Sequence, residues 1–595
     1  MQDGAPPVGQ PTANVALGAD SCLGTRLLQL FGWGHVSANT VQWLAEGAVR
    51  DGADNALLQK LKNLGSNGRH AQNIRRDLLR AVCKDMDLPA PVPLQVPFLN
   101  KSEIVFEADA SFINPMEVLE SLHSNHRQVF NDFAGDDLAG FWSQIRTDDP
   151  RLVRLNSYMG DTEWQSSAIP LCLHGGGGRF AKKNEQSILA VQCKSMARTG
   201  SGGAMPILPF FFLAKSCRAV RSKHDEDTAD HLWATLVHIL QSGLRGIHPE
   251  RDAFGDAWRS KKTAALGGTI FCHGKFKLVV WTVTGDLEFL SNELGLNHMS
   301  SNNPCWLCHA SRDPGTLYPI TDVSRHASWK SAPREDVAGE PCHASEHPLF
   351  GLEYLVRQSF PGDLMHSGCL GVVQYFVGSA LVELTHHSDM APRPELANDT
   401  IWGLIQDVYQ KMGLRNRLTR LTVEMYMKAK SWPRLSTKAA ESQTLLFVVR
   451  DILEQLLVND NSEHSRHRLR SCEALCTFYR IVRDSPMVPS PEQASQMKRA
   501  VETHLVHSNW LLDNAVKLGY LAYPIQLKHH MLWHLADLGQ FQNPRVAWCY
   551  DFEDWVGDVI TAAKACMAGT PMHLVGNKVV QHFLLGLQIM ISLQT

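Results

Sequence analysis

The sequence predicts an α/β fold with a mixed sheet, in which short strands form a core and long helical segments surround it. Two observations predict the sheet. Short apolar runs typical of buried strands recur within a limited stretch of chain, and one amphipathic helical pattern separates the last run from the others. The runs cover residues 169–173, 188–191, 207–213 and 278–283, and the helical pattern covers 229–240. Three strands, a helix and a fourth strand are therefore expected in this order.

This order is the expected start of an RNase H-like core, although several other mixed folds share it. The first part of the core is expected at residues 166–286 and its C-terminal helices at 546–595. Between them, residues 287–545 have mainly helical periodicity, broken by a polar loop at 310–347. A helix start is predicted at Ser490, which is followed by proline and then by glutamine at the positions of a capping box. We expect one large, mainly helical insertion here.

The chain before the core divides into three segments. Residues 1–20 are rich in Gly, Pro and Ala and are expected to be disordered. A helical pattern then indicates a small N-terminal helical domain at 21–88. Four prolines between 89 and 97 exclude a helix and predict an extended linker, so 89–165 is expected to be a linker and mixed region.

Composition limits the class of protein. The 595 residues are too many for one hydrophobic core, and a net charge of -3 excludes a globally basic nucleic-acid coat. The 14 cysteines are scattered, which favours a reducing, intracellular compartment over a disulfide framework. The N-terminus has no signal-peptide pattern, and the apolar run at 579–593 is too short and too polar to predict a membrane span.

A cysteine pair and a histidine cluster carry metal-binding potential. Cys305 and Cys308 form the single C-x-x-C of the chain, in a turn rich in Asn, Ser and Pro. Two thiolates at this spacing can share a tetrahedral zinc ion but need two further ligands. These could come from the nearby Cys342, His343 and His347, or from the distant His529, His530 and His534, of which either 530 and 534 or 529 and 534 can project to one side of a helix. Two buried thiols and unrelated histidines remain the alternative.

Two carboxylates follow strand and helix signals. Asp286 comes directly after the apolar run at 278–283, where a carboxylate can reach a cation-binding cleft, or it could cap the helical pattern that follows. Glu553 stands between Asp551 and Asp554 in an aromatic segment. It could be a metal ligand or part of an exposed acidic helix start.

Taken in order, these four features resemble the catalytic core of DDE transposases of the CACTA/Mirage/Chapaev type, a group akin to the V(D)J recombinase core. In that family C-x2-C follows the second catalytic Asp, and H-x3-4-H precedes the final Glu. Here Cys305 follows Asp286 by 19 residues, and Glu553 follows His534 by the same interval. The resemblance covers roughly residues 168–585.

The resemblance implies a function and a set of site residues. Asp286 and Glu553 would bind catalytic Mg²⁺ or Mn²⁺, and Cys305, Cys308, His534 and His530 would bind structural Zn²⁺, with His529 as the alternative to His530. The partner would be DNA, either transposon ends or non-specific duplex, and self-association into a homo-oligomer is left open. We expect an intracellular, nuclear protein.

The chain departs from the family pattern at the first catalytic Asp. That residue should lie in a His-Gly-Asp-Gly-like turn on the first strand, but this chain has Gly176 at the corresponding position. Two-metal phosphodiester chemistry requires carboxylates on both ions, so the departure predicts impaired cleavage. A non-enzymatic DNA-binding or scaffold protein that retains the fold is the alternative.

Two further features bear on the site. Asp363 and His366 match another motif of this transposase group, as a metal-supporting pair or as a helix N-cap with a buried histidine. Local charge predicts DNA contact, or alternatively a solvated helix face, for a basic stripe made of Lys411, Arg415, Arg417, Arg420, Lys428, Lys430, Arg434 and Lys438.

Overall fold

The computed structural model describes residues 23–83, 88–181, 186–198, 207–337, 340–386, 393–414, 416–427 and 431–594. The segment 1–20, predicted to be disordered, lies outside these residues. The strands are β1 (Val92–Leu99), β2 (Val105–Phe112), β3 (Ala168–Arg179), β4 (Ser187–Ser195), β5 (Leu208–Ala214) and β6 (Lys277–Thr284).

Helices make up most of the remaining structure. In chain order they are α1 (Leu23–Gly32), α2 (Ala38–Arg50), α3 (Ala56–Lys62), α4 (Leu64–Asn67), α5 (Ala71–Cys83), α6 (Pro115–Asn125), α7 (Arg127–Ala134), α8 (Leu138–Gln144), α9 (Pro150–Met159), α10 (Arg221–His224), α11 (Thr228–Arg245), α12 (Lys261–Leu266), α13 (Gln374–His386), α14 (Pro394–Met412), α15 (Ala439–Leu457), α16 (Glu463–Asp484), α17 (Pro491–Lys517), α18 (Leu527–Leu538), α19 (Tyr550–Met567) and α20 (Val575–Gln594).

A four-stranded mixed sheet with the order β5-β4-β3-β6 lies in the main hydrophobic core. Strand β4 is antiparallel to both β3 and β5, whereas β6 is parallel to β3 because α11 crosses over between β5 and β6. All residues of β5 are buried, as expected for a strand covered on both faces. The predicted α/β class with a mixed sheet is confirmed, as are the four strands and the helix between the third and fourth.

The crossover helix α11 has defined ends. The Asp227 carboxylate accepts the backbone N–H groups of Ala229 and Asp230, which would otherwise lack partners in the first turn. At the other end Gly246 has a φ of 74°, the left-handed conformation that glycine adopts without strain. The helix packs against β6 and thereby fixes the strand that ends just before Asp286.

The proline-rich segment is a strand rather than a linker. Its residues are extended, as the prolines require, but they pair with β2 in a two-stranded antiparallel sheet. Val92, Val96 and Phe98 are buried in the main core. Prolines are tolerated because a strand of a two-stranded sheet has one unpaired edge. The prediction of a linker was wrong because it gave the prolines more weight than the apolar residues at alternate positions, which indicate a half-buried strand.

The large segment after β6 is irregular first and helical afterwards. Residues 294–337 and 340–363 form bends, isolated bridges and short 3₁₀ turns, a longer stretch than the predicted loop at 310–347. A π-helical segment, Met365–Val373, then continues directly into α13. The predicted capping box at Ser490 is confirmed, since its side chain accepts the Gln493 N–H and Gln493 accepts the N–H of Ser490.

A buried polar cluster holds the helical part together around Glu383 of α13. Its carboxylate accepts hydrogen bonds from His464 Nε2 (2.9 Å), Arg468 Nη1 (3.1 Å), Tyr520 Oη (2.8 Å) and Tyr523 Oη (2.5 Å). Burial alone would raise the pKa of Glu383, but the His464 hydrogen bond and the Arg468 charge lower it below its ordinary value. The cluster therefore contains an ionised carboxylate with several donors.

The N-terminal helices form a second core with the last helix of the chain. Leu27, Phe31 and Val41 pack in a cluster that also contains Leu585 and Ile589 of α20. Helix α20 in turn packs against α19 and β5. The first helices are thus attached to the sheet through α20.

Within the described residues, two helical segments are long and apolar enough, by length and composition, to cross a membrane: Met365–His386 and Met572–Ile591. The second begins earlier than the run at 579–593 indicated, so the length of that run underestimated the apolar helix. In an 18-residue apolar window of each segment, 89% of the residues are buried inside the protein in the first and 78% in the second, which is also typical of core helices.

Candidate functional site

A buried cluster of two cysteines and two histidines joins the start of the segment after β6 to its end. Cys305 and Cys308 lie in the irregular segment, whereas His530 and His534 lie one turn apart on the same face of α18. Their ligand atoms all lie within 4.8 Å of one another, and all four residues are buried. The cluster could hold a metal ion such as zinc.

The separations within this cluster suit a tetrahedral ion. Cys305 Sγ lies 3.5 Å from His534 Nε2, Cys308 Sγ lies 3.4 Å from His530 Nε2, and the two Nε2 atoms are 3.1 Å apart. Bonds of about 2.3 Å to sulfur and about 2.0 Å to nitrogen place tetrahedral ligand atoms roughly 3.3–3.8 Å apart. The observed distances agree with this range to within a few tenths of an ångström.

The surroundings of the cluster favour a thiolate at Cys305, whereas the hydrogen bond with Cys305 and burial raise the pKa of Cys308. The backbone N–H groups of Leu307 and Ala310 donate to the sulfurs of Cys305 and Cys308, respectively. Burial alone would raise the pKa of Cys305, but its hydrogen bond with Cys308 and the nearby histidines lower it well below its ordinary value. The Trp329 ring packs 4.2 Å from the His530 ring, centroid to centroid, and orients it.

The alternative ligands lie elsewhere. His529 Nδ1 accepts the backbone N–H of Gln526, and its ring packs parallel to His504. His343 Nε2 contacts Asn297 Oδ1, and His347 accepts the Leu349 N–H in a short turn. Of the two sources of histidine that the sequence left open, the structure brings His530 and His534 to the cysteine pair.

A second cluster is built around the carboxylate of Asp363, which is buried. It accepts four hydrogen bonds: from the backbone N–H groups of Met365, His366 and Cys549, and from His366 Nδ1 at 2.7 Å. Burial alone would raise the pKa of Asp363, but the His366 hydrogen bond and charge lower it. Asp363 is therefore both a helix N-cap and the partner of His366, and it ties the 365–386 helix to the start of α19.

Glu553, in the first turn of α19, faces His366. Its Oε1 lies 3.6 Å from His366 Nε2. Burial raises the pKa of Glu553; the charge of His366 opposes this shift, and the charges of Asp286 and Asp363 add to it. Burial alone would lower the pKa of His366, but Asp363, followed by Glu553 and Asp286, raises it.

Asp286 follows β6 and lies near this cluster, since its charge acts on both Glu553 and His366. Its Oδ1 also accepts the Phe289 N–H at 2.6 Å, so it caps the short π-helical turn after β6. The two interpretations of Asp286 left open by the sequence are thus compatible. The charges of Asp286 and Glu553, which are far apart in the chain, thus both act on His366.

Gly176 lies on β3, two residues beyond His174, which pairs with Thr284 of β6. The parallel register therefore brings Gly176 level with Asp286. A Cβ at 176 would lie 2.7 Å from Cε1 of His174. The His174 ring is buried, stacks on Phe552 with a centroid distance of 4.3 Å, and has a pKa lowered to about 3 by burial.

An open cleft of about 1180 Å³ adjoins the acidic cluster. His366, Glu553 and Asp554 line one part of it, and Arg417 and Arg434 of the basic stripe line another, together with Lys438. Among the described residues of the stripe, Lys411 lies in α14, which ends at Met412, and the others lie before α15 begins at Ala439. Lys411 and Arg420 are exposed outside the cleft lining, and Arg415, Lys428 and Lys430 lie outside the described residues.

Lys528 is a candidate residue that the sequence did not reveal. It lies in the first turn of α18, and its Nζ donates to the Leu370 carbonyl at 3.3 Å. Burial and the nearby Arg434 lower its pKa to about 8, against the opposing charges of Asp363 and Asp286. A single lysine at a helix start carries no sequence signal.

Comparison of the sequence with known protein families found no matching family, and comparison with curated proteins found no match either.

Proposed function

We propose that the chain is a transposon-derived homologue of DDE transposases, with impaired catalysis. Active relatives of this type would cleave and join DNA strands at an acidic metal site. The observation that carries the proposal is the cluster of Asp363, His366 and Glu553, in which His366 lies 2.7 Å from one carboxylate and 3.6 Å from the other, with the charge of Asp286 acting on His366 and Glu553. The RNase H-like arrangement of three antiparallel strands, a crossover helix and a parallel fourth strand supports it.

The cysteine-histidine cluster also supports the proposal. We assign Cys305, Cys308, His530 and His534 as ligands of one structural Zn²⁺, which would tie the two ends of the insertion together. Helix α18, which carries the histidines, also carries Lys528 towards the acidic cluster. Zinc would thus help to position the acidic cluster without taking part in its chemistry.

The cleft is suited to DNA phosphates. Arg417, Arg434 and Lys438 line it together with Glu553, so cationic groups and candidate metal ligands share one open surface. Cationic side chains bind the phosphate backbone without reading its sequence. A duplex bound along this surface would have its backbone beside the acidic cluster.

A non-enzymatic DNA-binding or scaffold function is the second candidate. Gly176 supplies no carboxylate, and the His366 imidazole lies 3.6 Å from Glu553, where its positive charge can compensate the acidic groups without a metal ion. Such a protein would keep the fold, the zinc and the basic cleft. It would bind DNA and leave it intact.

Nicking of supercoiled plasmid with Mg²⁺ or Mn²⁺ tests the proposal. We expect weak nicking by the wild type that is lost in both Asp286→Ala and Glu553→Ala. Complete absence of nicking, together with salt-dependent DNA binding, would favour the scaffold function. Strong nicking that survives Asp286→Ala would contradict the acidic assignment.

A further inference from the structure

The acidic cluster combines an imidazole with carboxylates, and this composition bears on the ion that it prefers. A pair of Mg²⁺ ions needs shared carboxylates, and Gly176 offers no ligand where one is expected. The residues present therefore do not fit the Mg²⁺ pair that the resemblance implies. They include one donor, His366, that oxygen-preferring Mg²⁺ does not favour.

His366 is oriented like a metal-binding histidine. The Asp363 carboxylate accepts hydrogen bonds from His366 Nδ1 (2.7 Å) and from three backbone N–H groups. These bonds fix the imidazole ring and, in its neutral form, assign the proton to Nδ1. A carboxylate behind the imidazole is the usual outer partner of a metal-bound histidine. The lone pair of Nε2 is then directed away from Asp363.

Nε2 faces a second candidate ligand. Glu553 Oε1 lies 3.6 Å away, near the roughly 3.0–3.5 Å between neighbouring ligand atoms on an ion with bonds of about 2.1 Å. Asp286 is the next carboxylate, and its charge acts on both residues. Asp363 is already occupied by its four donors and serves to position His366.

We propose that this site binds a single transition-metal ion through His366 Nε2 and Glu553, and that it prefers such an ion to Mg²⁺. The proposal rests on the acidic site of the proposed function. It differs from the metal pair implied by the resemblance in the number of ions, in the nitrogen ligand and in the order of affinity.

Mn²⁺ is a suitable probe because it is paramagnetic. Zinc-loaded protein is titrated with Mn²⁺ or Mg²⁺ in the absence of DNA, and the bound Mn²⁺ is examined by electron spin-echo envelope modulation for coupling to imidazole ¹⁴N. We expect about one Mn²⁺ per chain, ¹⁴N coupling, and an affinity at least about tenfold higher than for Mg²⁺. Two Mn²⁺ ions, equal affinities, or no ¹⁴N coupling in the wild type would overturn the proposal.

Variants locate the ligand. His366→Gln should abolish the ¹⁴N coupling and the preference over Mg²⁺, and Asp363→Asn should weaken Mn²⁺ binding by about 10–100-fold. The matched control is His35→Ala, because His35 Nε2 lies 3.8 Å from Asp558 Oδ1, a similar pair outside the cleft lining. Coupling that persists in His366→Gln would assign the nitrogen to another residue and overturn the proposal.

The zinc content and melting temperature of each variant identify loss of folding, and the wild-type spectrum decides the proposal even if a variant does not fold. Because DNA is absent, failure of this proposal is distinguishable from failure of the proposed function. A protein that binds Mn²⁺ as expected but neither binds nor nicks DNA would keep the metal site and lose the transposase assignment. A protein that binds and nicks DNA but does not bind Mn²⁺ as expected would contradict the proposed metal site and leave the transposase assignment in place.

Discussion

Cys305 Sγ and His534 Nε2 lie 3.5 Å apart although 229 positions separate the two residues in the sequence. A contact between residues so distant in the chain restrains a long insertion at both ends. The restraint is strong only if an ion links the ligands, because zinc binding contributes directly to folding.

Cys305→Ser should therefore lose the zinc and destabilise the protein. We expect less than half an equivalent of zinc after purification and a melting temperature at least about 5 °C lower, since each kcal/mol lowers it by roughly 2–4 °C in a domain of a few hundred residues. Cys342→Ser is the matched control, a buried thiol outside the cluster. Equal zinc content in both variants, by mass spectrometry, would contradict the assignment.

DNA binding should depend on the arginines of the cleft. The logarithm of affinity falls with the logarithm of salt concentration with a slope of about -0.9 per neutralised phosphate. Arg417→Ala combined with Arg434→Ala should reduce this slope by up to about two. Arg50→Ala, an exposed arginine of α2 far along the chain, should leave it unchanged. Fluorescence anisotropy at several salt concentrations measures the slope. Equal slopes for the wild type and the double variant would show that the basic stripe is a solvated surface and does not contact DNA.

Gly176→Asp should restore nicking of supercoiled plasmid in Mg²⁺, because it places a carboxylate level with Asp286. The His174 ring must turn to admit the new side chain, since a Cβ would lie 2.7 Å from Cε1. Gly176→Ala makes the same steric demand without the carboxylate and should stay inactive. Adding Asp286→Ala or Glu553→Ala to Gly176→Asp should abolish the restored activity. Activity in Gly176→Ala would show that the carboxylate is not the cause.

Glu383→Gln should destabilise the helical part in a pH-dependent manner. The folded pKa of Glu383 is lowered, so its ionic interactions stabilise the protein above the unfolded pKa of 4.5 and are lost as the pH falls through the folded pKa. Near pH 7 we expect a loss of about 3–5 kcal/mol in the free energy of unfolding, as for a broken buried ion pair.

Urea unfolding of the wild type and of Glu383→Gln between about pH 7 and pH 4 measures the difference, which should shrink on acidification. Glu454→Gln, in an exposed pair with Arg450, should cost less than about 1 kcal/mol at either pH. A difference for Glu383→Gln that stays constant with pH would exclude an ionised carboxylate.

The sheet could be predicted because its strands are short, apolar and separated by one clear helix. Strand β1 was missed because the prediction gave Pro93 and Pro97 more weight than the apolar residues at alternate positions, of which Val92 and Val96 are buried in the structure. Proline excludes a helix, but it does not exclude an edge strand. For a two-stranded sheet, the pairing partner decides the structure, and no local pattern contains it.

The candidate site could be predicted in part. The cysteine pair and the histidines have fixed spacings that point to a metal, but the choice of His530 over His529 depends on which face α18 turns inward. Asp363 was recognised by its motif, while its bond to the Cys549 N–H is a contact between distant segments. Lys528 gave no signal because its lowered pKa comes from burial and from charged groups that are distant in the chain.

The glycine run of β3 has a consequence for how the site can change over generations. A Cβ at 175, 177 or 178 would lie 2.4 Å or less from Phe289, the Ile188 carbonyl or the Ile560 side chain, whereas at 176 the nearest atom would be Cε1 of His174 at 2.7 Å. Mutation can therefore most readily introduce a side chain at the one position where a carboxylate is expected. Under the proposed function, the departure at 176 would therefore be a reversible evolutionary step, since a single-residue change would suffice to place a carboxylate there.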